Sequence, residues 1–194
     1  MKHFLVTRFN VRVPQWREVD KSGMAVLSTT WMEHRLKLFE QTYASVMEQT
    51  STDFTWLVLW DAATPARFLV DKPGMTNILV VNWLADLQAR LRQERGWIIT
   101  SRLDNDDVIL PTFMETIRAA VTKQKQFLNI PNGWWGDKPV QHNANQFISY
   151  VESTRRSVYH LPHGAAMKRH APIKQITTER LWRTMLHERN YLNG

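Results

Sequence analysis

The sequence predicts an α/β fold in which a mixed sheet with parallel strands is flanked by helices, in a single domain over residues 1–194. The first reason is that short β-rich apolar runs alternate with segments of helical periodicity through the first 130 residues, as in parallel α/β sheets. The second is that 194 residues with 43% hydrophobic content can bury one full core. No repeat or interdomain linker divides the chain.

The first half of the chain alternates strongly between the two element types. Strands are predicted over 3–9, 54–60, 77–82 and from 97, and helices over 31–48 and 84–95. The run from Phe54 to Trp60 is almost continuously apolar, which is typical of a central strand with both faces covered. Thr30 and Glu33 form a capping-box pattern at the start of the first helix. Residues 11–29 are predicted to be a loop.

The second half predicts shorter strands, which favour a mixed sheet. Pro111 suits the first position of a helix that runs to about 125. Strands are expected over 127–131, 147–151 and 157–160, loops over 132–137 and 161–176, and a last helix from 177 or 178 to about 189.

Three carboxylates follow the strand that begins at 97: Asp104, Asp106 and Asp107. Such a cluster is repulsive unless a cation lies among the acids, and ligands bind at the carboxyl ends of strands in α/β sheets. Mg²⁺ or Mn²⁺ would suit these oxygen ligands. The alternative is a turn in which Asp106 or Asp107 caps the following helix. An EF-hand is disfavoured because Ile109 stands where that loop needs glycine.

Charge and composition narrow the classes of function. The net charge is +7, and eight of the Lys and Arg residues against two acids lie between 153 and 194. This segment predicts a polyanionic partner, either a diphosphate, a nucleic acid or an anionic membrane, or it is a solvated basic face. No glycine-rich phosphate loop is present, so a metal ion would have to hold phosphates.

The cellular location is predicted from features that the sequence lacks. The chain has no cysteine, which excludes disulfides and thiol chemistry and fits a reducing compartment. There is no run of 18 apolar residues, and the N-terminus has the pattern of a strand and not of a signal peptide. A cytoplasmic location is therefore expected.

Taken together, these segments resemble the rhamnosyltransferase family of GT-A-like glycosyltransferases. The most specific match is Thr100-x-Arg102-Leu103-Asp104-Asn105-Asp106-Asp107. The other matching residues are Thr7-Arg8-Phe9-Asn10, Arg35, Phe39-Glu40, Gln49-Thr50, Asp53-Phe54-x-Trp56-Leu57-Val58, Asp61, Asn132-Gly133, Phe147-x-Ser149-x-Val151-Glu152, Trp182, His187 and Asn190. The resemblance covers nearly the whole chain.

The resemblance implies a GT-A-like fold and a metal-dependent enzyme that transfers a sugar, rhamnose by the family name, from a nucleoside-diphosphate sugar to a glycan or other hydroxyl acceptor. Asp104, Asp106 and His187 would hold Mn²⁺ or Mg²⁺. Residues implied at the nucleotide sugar are Thr7, Arg8, Asn10, Asp61, Arg102 and Asp104. Lys168 and Arg169 are further candidates for phosphate contacts. Nucleic acid is not expected as a partner.

An inverting transfer would also need a general base for the acceptor hydroxyl. Glu152 is the first candidate, and Asp137 and His163 are alternatives. Glu152 could equally be an ion-pair partner of Arg155 or Arg156. Trp134 and Trp135 either stack on an acceptor sugar or pack in the core.

Two other classes of function compete with this interpretation. A metal-dependent phosphohydrolase or nucleotidyltransferase would also use clustered aspartates, and it would transfer phosphate without sugar. A non-enzymatic basic protein would bind polyanions with steep salt dependence and without a metal.

Overall fold

The architecture is that of a computed structural model, which describes residues 1–11, 27–152, 156–160 and 172–187. The strands are β1 (Lys2–Arg8), β2 (Thr55–Asp61), β3 (Met75–Val80), β4 (Ile98–Arg102), β5 (Asp107–Ile109), β6 (Gln126–Asn129), β7 (Asn132–Trp135), β8 (Lys138–Gln141), β9 (Ser149–Glu152), β10 (Ile173–Gln175) and β11 (Trp182–Thr184). The helices are α1 (Thr29–Met47), α2 (Trp83–Leu91) and α3 (Phe113–Ala119). None of the helices in these ranges is long and apolar enough to cross a membrane.

Seven strands form the main sheet, in the order β10-β6-β9-β4-β1-β2-β3. β1 lies between β2 and β4 and is parallel to both. β9 runs antiparallel to its neighbours β4 and β6, so the sheet is mixed. The carboxyl ends of β1, β2 and β4 therefore meet at one edge of the sheet, where ligand sites form in α/β folds.

Alternation along the central strands gives the sheet two apolar faces. Leu5 packs with Phe39 of α1 and Phe113 of α3 on one face. Val6 packs with Leu87 of α2 on the other face. Because helices cover both faces, the central strands are apolar at nearly every position, as the sequence predicted for 54–60.

A second sheet of four strands, in the order β5-β11-β7-β8, lies beside the acidic segment. β11 is antiparallel to β5 and parallel to β7. Gly133 allows this pairing, because a Cβ atom there would come within 2.1 Å of the buried Trp182 ring. Residues 104–107 thus link the two sheets.

The predicted α/β class is confirmed, and the elements of the first half lie close to their predicted positions. The predicted capping box is wrong, because Ser28 is the N-cap of α1 and its side chain accepts a hydrogen bond from Trp31 N. The prediction that Asp106 or Asp107 caps the next helix is also wrong. Thr112 takes that position, and α3 begins two residues after Pro111.

The largest differences from the predicted elements lie after residue 130. The predicted loop 132–137 is the β7–β8 hairpin, with Gly136 at a φ of 58° in its turn. The predicted strand 157–160 contains a 3₁₀ turn over Val158–His160. In place of the predicted last helix, β11 enters the second sheet, because pairing with β5 and β7 and burial of Trp182 outweigh local helix propensity.

Candidate active site

The acidic segment after β4 is held by a side chain of α1. Arg35 donates to Asp106 Oδ2 at 2.6 Å and also to the side chain of Asn105. Asn105 in turn donates from its amide to the carbonyl of Phe9, at 2.7 Å. The loop is therefore tied at once to α1 and to the residue that follows β1.

His187 reaches the same carboxylate from beyond β11. Its Nε2 lies 2.9 Å from Asp106 Oδ2. Both side chains are about 10% exposed. The structure thus brings together Asp106 and His187, which the resemblance implied as metal ligands and which are 81 residues apart.

The pKa values of the adjacent residues Asp106 and Asp107 are shifted in opposite directions. Burial acts to raise the pKa of Asp106, but Arg35 and the His187 hydrogen bond outweigh it and lower the pKa. Burial, followed by the charges of Asp106 and Asp104, raises the pKa of Asp107 well above its ordinary value. Asp107 accepts a hydrogen bond from Met185 N at 3.1 Å, so it fastens the segment after β11.

A second group of side chains lies on the α2 face of the same edge. Arg102 forms an ion pair with Asp104, with 3.0 Å between Nη2 and Oδ2. The guanidinium groups of Arg8 and Arg102 lie 4.5 and 5.3 Å from the centre of the Tyr159 ring. Arg8, Arg102 and Asp104, all predicted at the nucleotide sugar, are therefore neighbours.

The remaining residues predicted at the nucleotide sugar divide into two groups. Asn10 accepts a hydrogen bond from Asp61 N at 3.0 Å and donates to Thr64 at 2.7 Å, so it joins the loops after β1 and β2. The Asp61 carboxylate accepts from Ala63 N at 2.8 Å. Thr7 is fully buried, and its hydroxyl accepts from the Trp56 indole at 3.0 Å, which directs it into the core.

The two candidate bases that lie within the described residues, Asp137 and Glu152, are at different edges of the molecule. Asp137 is in the β7–β8 turn, and its carboxylate is 98% exposed and 3.3 Å from Arg183. The register pairs Thr184 with both Asp107 and Trp135, so this turn lies at the end of the second sheet nearest the acidic segment. Two strand spacings put Trp135, the last residue before this turn, about 10 Å from Asp107.

Glu152 is placed away from the aspartates. It pairs with Ile98, the first residue of β4, whereas Arg102 and Asp104 lie at the other end of that strand. Four residue steps of about 3.3 Å separate the two ends by roughly 13 Å. Glu152 is buried and accepts a hydrogen bond from Tyr150 at 3.0 Å. The structure therefore does not bring Glu152 together with Asp104 and Asp106.

Some predicted residues need other comment. His163, Lys168 and Arg169 lie outside the described residues. Trp134 stacks beneath the guanidinium groups of Arg180 and Arg183, at 5.2 and 5.5 Å. The sequence analysis named Arg35 only as part of the resemblance, without a role, and did not single out Tyr159. Both are central here, because the packing of α1 and of Val158–His160 against the sheet brings them to the site.

The donor groups suit a hard divalent cation in kind. Asp106 and His187 already touch, and carboxylate with imidazole is a ligand set that Mn²⁺ accepts. Burial is the main cause of the raised pKa of Asp107, and a divalent ion would relieve the repulsion from Asp106 and Asp104 that adds to it. In the described ranges, however, no three acidic or histidine side chains converge as a metal site. Asp104, which faces Arg102, would have to turn toward the other two.

Solved structures of similar fold include three forms of TarS from S. aureus. TarS 1–349 in complex with UDP-GlcNAc matches with a TM-score of 0.61 and 12% identity, over 98% of this chain and 60% of that one. TarS 1–349 alone gives 0.56 and 12%, over 95% and 60%. A longer TarS gives 0.52 and 12%, over 96% and 37%. The chain thus spans about 60% of TarS 1–349, and the likeness confirms the GT-A-like fold.

A sequence match to a protein family also supports the predicted resemblance. The sequence pattern of the family described as Putative rhamnosyl transferase matches residues 2–72, which confirms the predicted resemblance over β1, α1 and β2. The acidic segment lies beyond the matched range. No curated protein has a significantly matching sequence.

Proposed function

We propose that this chain is a nucleotide-sugar-dependent glycosyltransferase. The observation that carries the proposal is that two groups lie at the carboxyl ends of β4 and β1: Asp106 in contact with His187, and Asp104 paired with Arg102. Arg8 lies beside Arg102 against the same Tyr159 ring. Carboxylates supply a cation site and arginines supply phosphate contacts, which are the two needs of a diphosphate leaving group. The GT-A-like fold and the family match over residues 2–72 support the same activity.

The metal part of the proposal assigns Mn²⁺ or Mg²⁺ to Asp104, Asp106 and His187. A bound cation of this kind supplies Lewis-acid stabilisation of the departing nucleoside diphosphate. Arg35 and Asn105 hold the acidic loop in place, and Asp107 anchors the chain that leads to His187. On the nucleoside side, Asp61 and Asn10 shape the loops after β2 and β1.

For the acceptor we propose an inverting transfer with Asp137 as the general base. Its exposed carboxylate can take the proton of an incoming hydroxyl as the acceptor oxygen bonds to the sugar and the nucleoside diphosphate leaves. Glu152 is not included, because the β4–β9 register puts it at the opposite edge of the sheet. Arg183 beside Asp137 can orient the carboxylate.

The activity can be tested by measuring nucleoside diphosphate released from a set of sugar donors with Mn²⁺. The family description favours a rhamnose donor and one TarS structure holds UDP-GlcNAc, so the set includes rhamnose and N-acetylglucosamine donors. We expect Asp106→Asn to lower release by about 100-fold or more, whereas the exposed Asp71→Asn matches wild type. Equal rates in wild type and Asp106→Asn, or transfer of phosphate without sugar, would contradict the proposal.

A further inference from the structure

Two arginines emerge side by side from β1 and β4. Val6 pairs with Arg102 across these parallel strands, and Arg8 follows Val6 by two residues on the same face. Both guanidinium groups approach the Tyr159 ring, and Arg8 also lies 5.3 Å from the centre of the Trp83 ring. The two cations thus share an aromatic enclosure at the carboxyl edge.

Among the described residues, the two guanidinium groups of this enclosure form one ion pair with a carboxylate. The Asp104 carboxylate pairs with Arg102. In the described ranges Arg8 forms no ion pair with a carboxylate, and its buried Nε has no hydrogen-bond acceptor. Burial raises the pKa of Tyr159 to about 12, so at neutral pH its hydroxyl keeps the proton that it donates to the Val6 carbonyl. Tyr159 therefore adds no negative charge.

Such a cation is costly to keep without a ligand. Burial, and then the charge of Arg102, act against the Tyr159 and Asp104 interactions and lower the pKa of Arg8. The aromatic faces recover part of this cost through cation–π contacts. A planar guanidinium with an unused donor, next to a second guanidinium, has the geometry that binds phosphate oxygens in two-point contacts.

We propose that Arg8 and Arg102, enclosed by Tyr159 and Trp83, form a phosphate-binding site on the α2 face of the sheet edge. If the proposed function holds, its ligand is a phosphate of the donor diphosphate, and the identification of that ligand rests on the proposed function. A phosphorylated acceptor carries the same chemistry. Of the proposed metal ligands, only Asp104 contacts this site, through its ion pair with Arg102.

The test uses inorganic pyrophosphate with a metal chelator, so that any metal-held phosphate is excluded. Pyrophosphate should raise the melting temperature of wild type by mass action. We expect Arg8→Met to weaken pyrophosphate binding by about tenfold or more, Arg8→Lys to retain part of it, and the exposed Arg95→Met to bind as wild type. Equal affinity of wild type and Arg8→Met would overturn the site.

Stability separates a ligand role from a structural one. Because burial and the charge of Arg102 outweigh the interactions that favour the Arg8 charge, Arg8→Met without ligand should melt at the wild-type temperature or above it. A clear fall in melting temperature, together with weakened binding that Arg8→Lys does not restore, would show a structural residue and overturn the proposal.

Two further binding measurements identify the source of the phosphate. They also separate the phosphate-site proposal from the proposed glycosyltransferase activity. Tighter binding of UDP or dTDP than of a simple sugar phosphate, with no binding of uridine, assigns the site to the donor, and the reverse order assigns it to an acceptor. Arg8-dependent pyrophosphate binding in a protein that turns over no sugar donor would support the site and contradict the proposed glycosyltransferase activity.

Discussion

Arg35 determines how the acidic segment is held. It contacts both Asn105 and Asp106, and Asn105 passes the connection to the backbone at Phe9. One helix residue therefore fixes the loop that follows β4 relative to the loop that follows β1. A loop held in this way keeps its carboxylates in place before any ligand arrives, which lowers the cost of reorganisation at the site.

Removal of Arg35 should destabilise the protein strongly. Arg35→Met leaves the Asp106 carboxylate, 10% exposed, without its main counter-charge, and we expect a loss of about 3 kcal/mol in the free energy of unfolding. The comparison is Arg118→Met, because Asp53, the partner of Arg118, is 73% exposed and that pair should contribute less than about 1 kcal/mol. Urea unfolding measures both, and similar small losses would show that the Arg35–Asp106 pair is not a structural anchor.

His3 gives the stability a predictable dependence on pH. It is buried, with Nε2 2.7 Å from Ser101 Oγ, and burial, with a smaller contribution from Arg118, lowers its pKa to about 3. Unfolded histidine takes up a proton below about pH 6.5, and the folded form does so only near pH 3. The unfolded state therefore binds more protons in this window, and stability falls as the pH is lowered through it.

The contribution of His3 is the difference between wild type and His3→Gln. In this pH range, the free energy of unfolding of wild type should fall with decreasing pH by up to about 1.4 kcal/mol per pH unit more than that of His3→Gln. The variant lacks this contribution because the amide of glutamine does not titrate. Unfolding by urea at several pH values between 3 and 7 measures this slope. Replacement of the exposed His142 by Gln should leave the wild-type slope, and parallel curves for wild type and His3→Gln would refute the assignment.

At the scale of elements, strand register decides which acids can work together. The three parallel strands β1, β2 and β4 bring their carboxyl ends together, and β11 adds the segment that carries His187. β9 runs the other way, so its last residue, Glu152, returns to the amino end of β4. The β7–β8 turn instead carries Asp137 toward the acidic segment.

This arrangement predicts different outcomes for the two candidate bases. Asp137→Asn should lower the rate of sugar transfer by about 10² to 10⁴ while donor binding stays near wild type, because only proton removal from the acceptor is lost. Glu152→Gln keeps an acceptor for Tyr150 and should transfer sugar at a rate close to wild type. Rates of transfer and donor affinities of both variants decide the matter. The opposite ranking would restore Glu152 as the base.

For the molecule as a whole, the sequence predicted the features that depend on residues close together in the chain. The apolar run of β2 and the aspartates directly after β4 revealed the class of fold and the candidate site, because a strand and its adjacent loop are close in sequence. The β9 register and the insertion of β11 were not predictable, since both depend on partners far along the chain. The enclosure of the Arg8 charge was not predictable either, because it depends on Tyr159, which lies 151 residues later in the chain.

The most direct measurement is calorimetric binding of nucleoside diphosphates (UDP, dTDP, GDP, CDP and ADP), each with and without Mn²⁺, to wild type and Asp106→Ala. The account predicts that wild type prefers one nucleotide, that Mn²⁺ strengthens its binding, and that Asp106→Ala loses the Mn²⁺-dependent part. Binding of no nucleotide under either condition, or identical Mn²⁺ dependence in the variant, would contradict the proposal that this edge of the sheet binds a nucleotide-sugar donor.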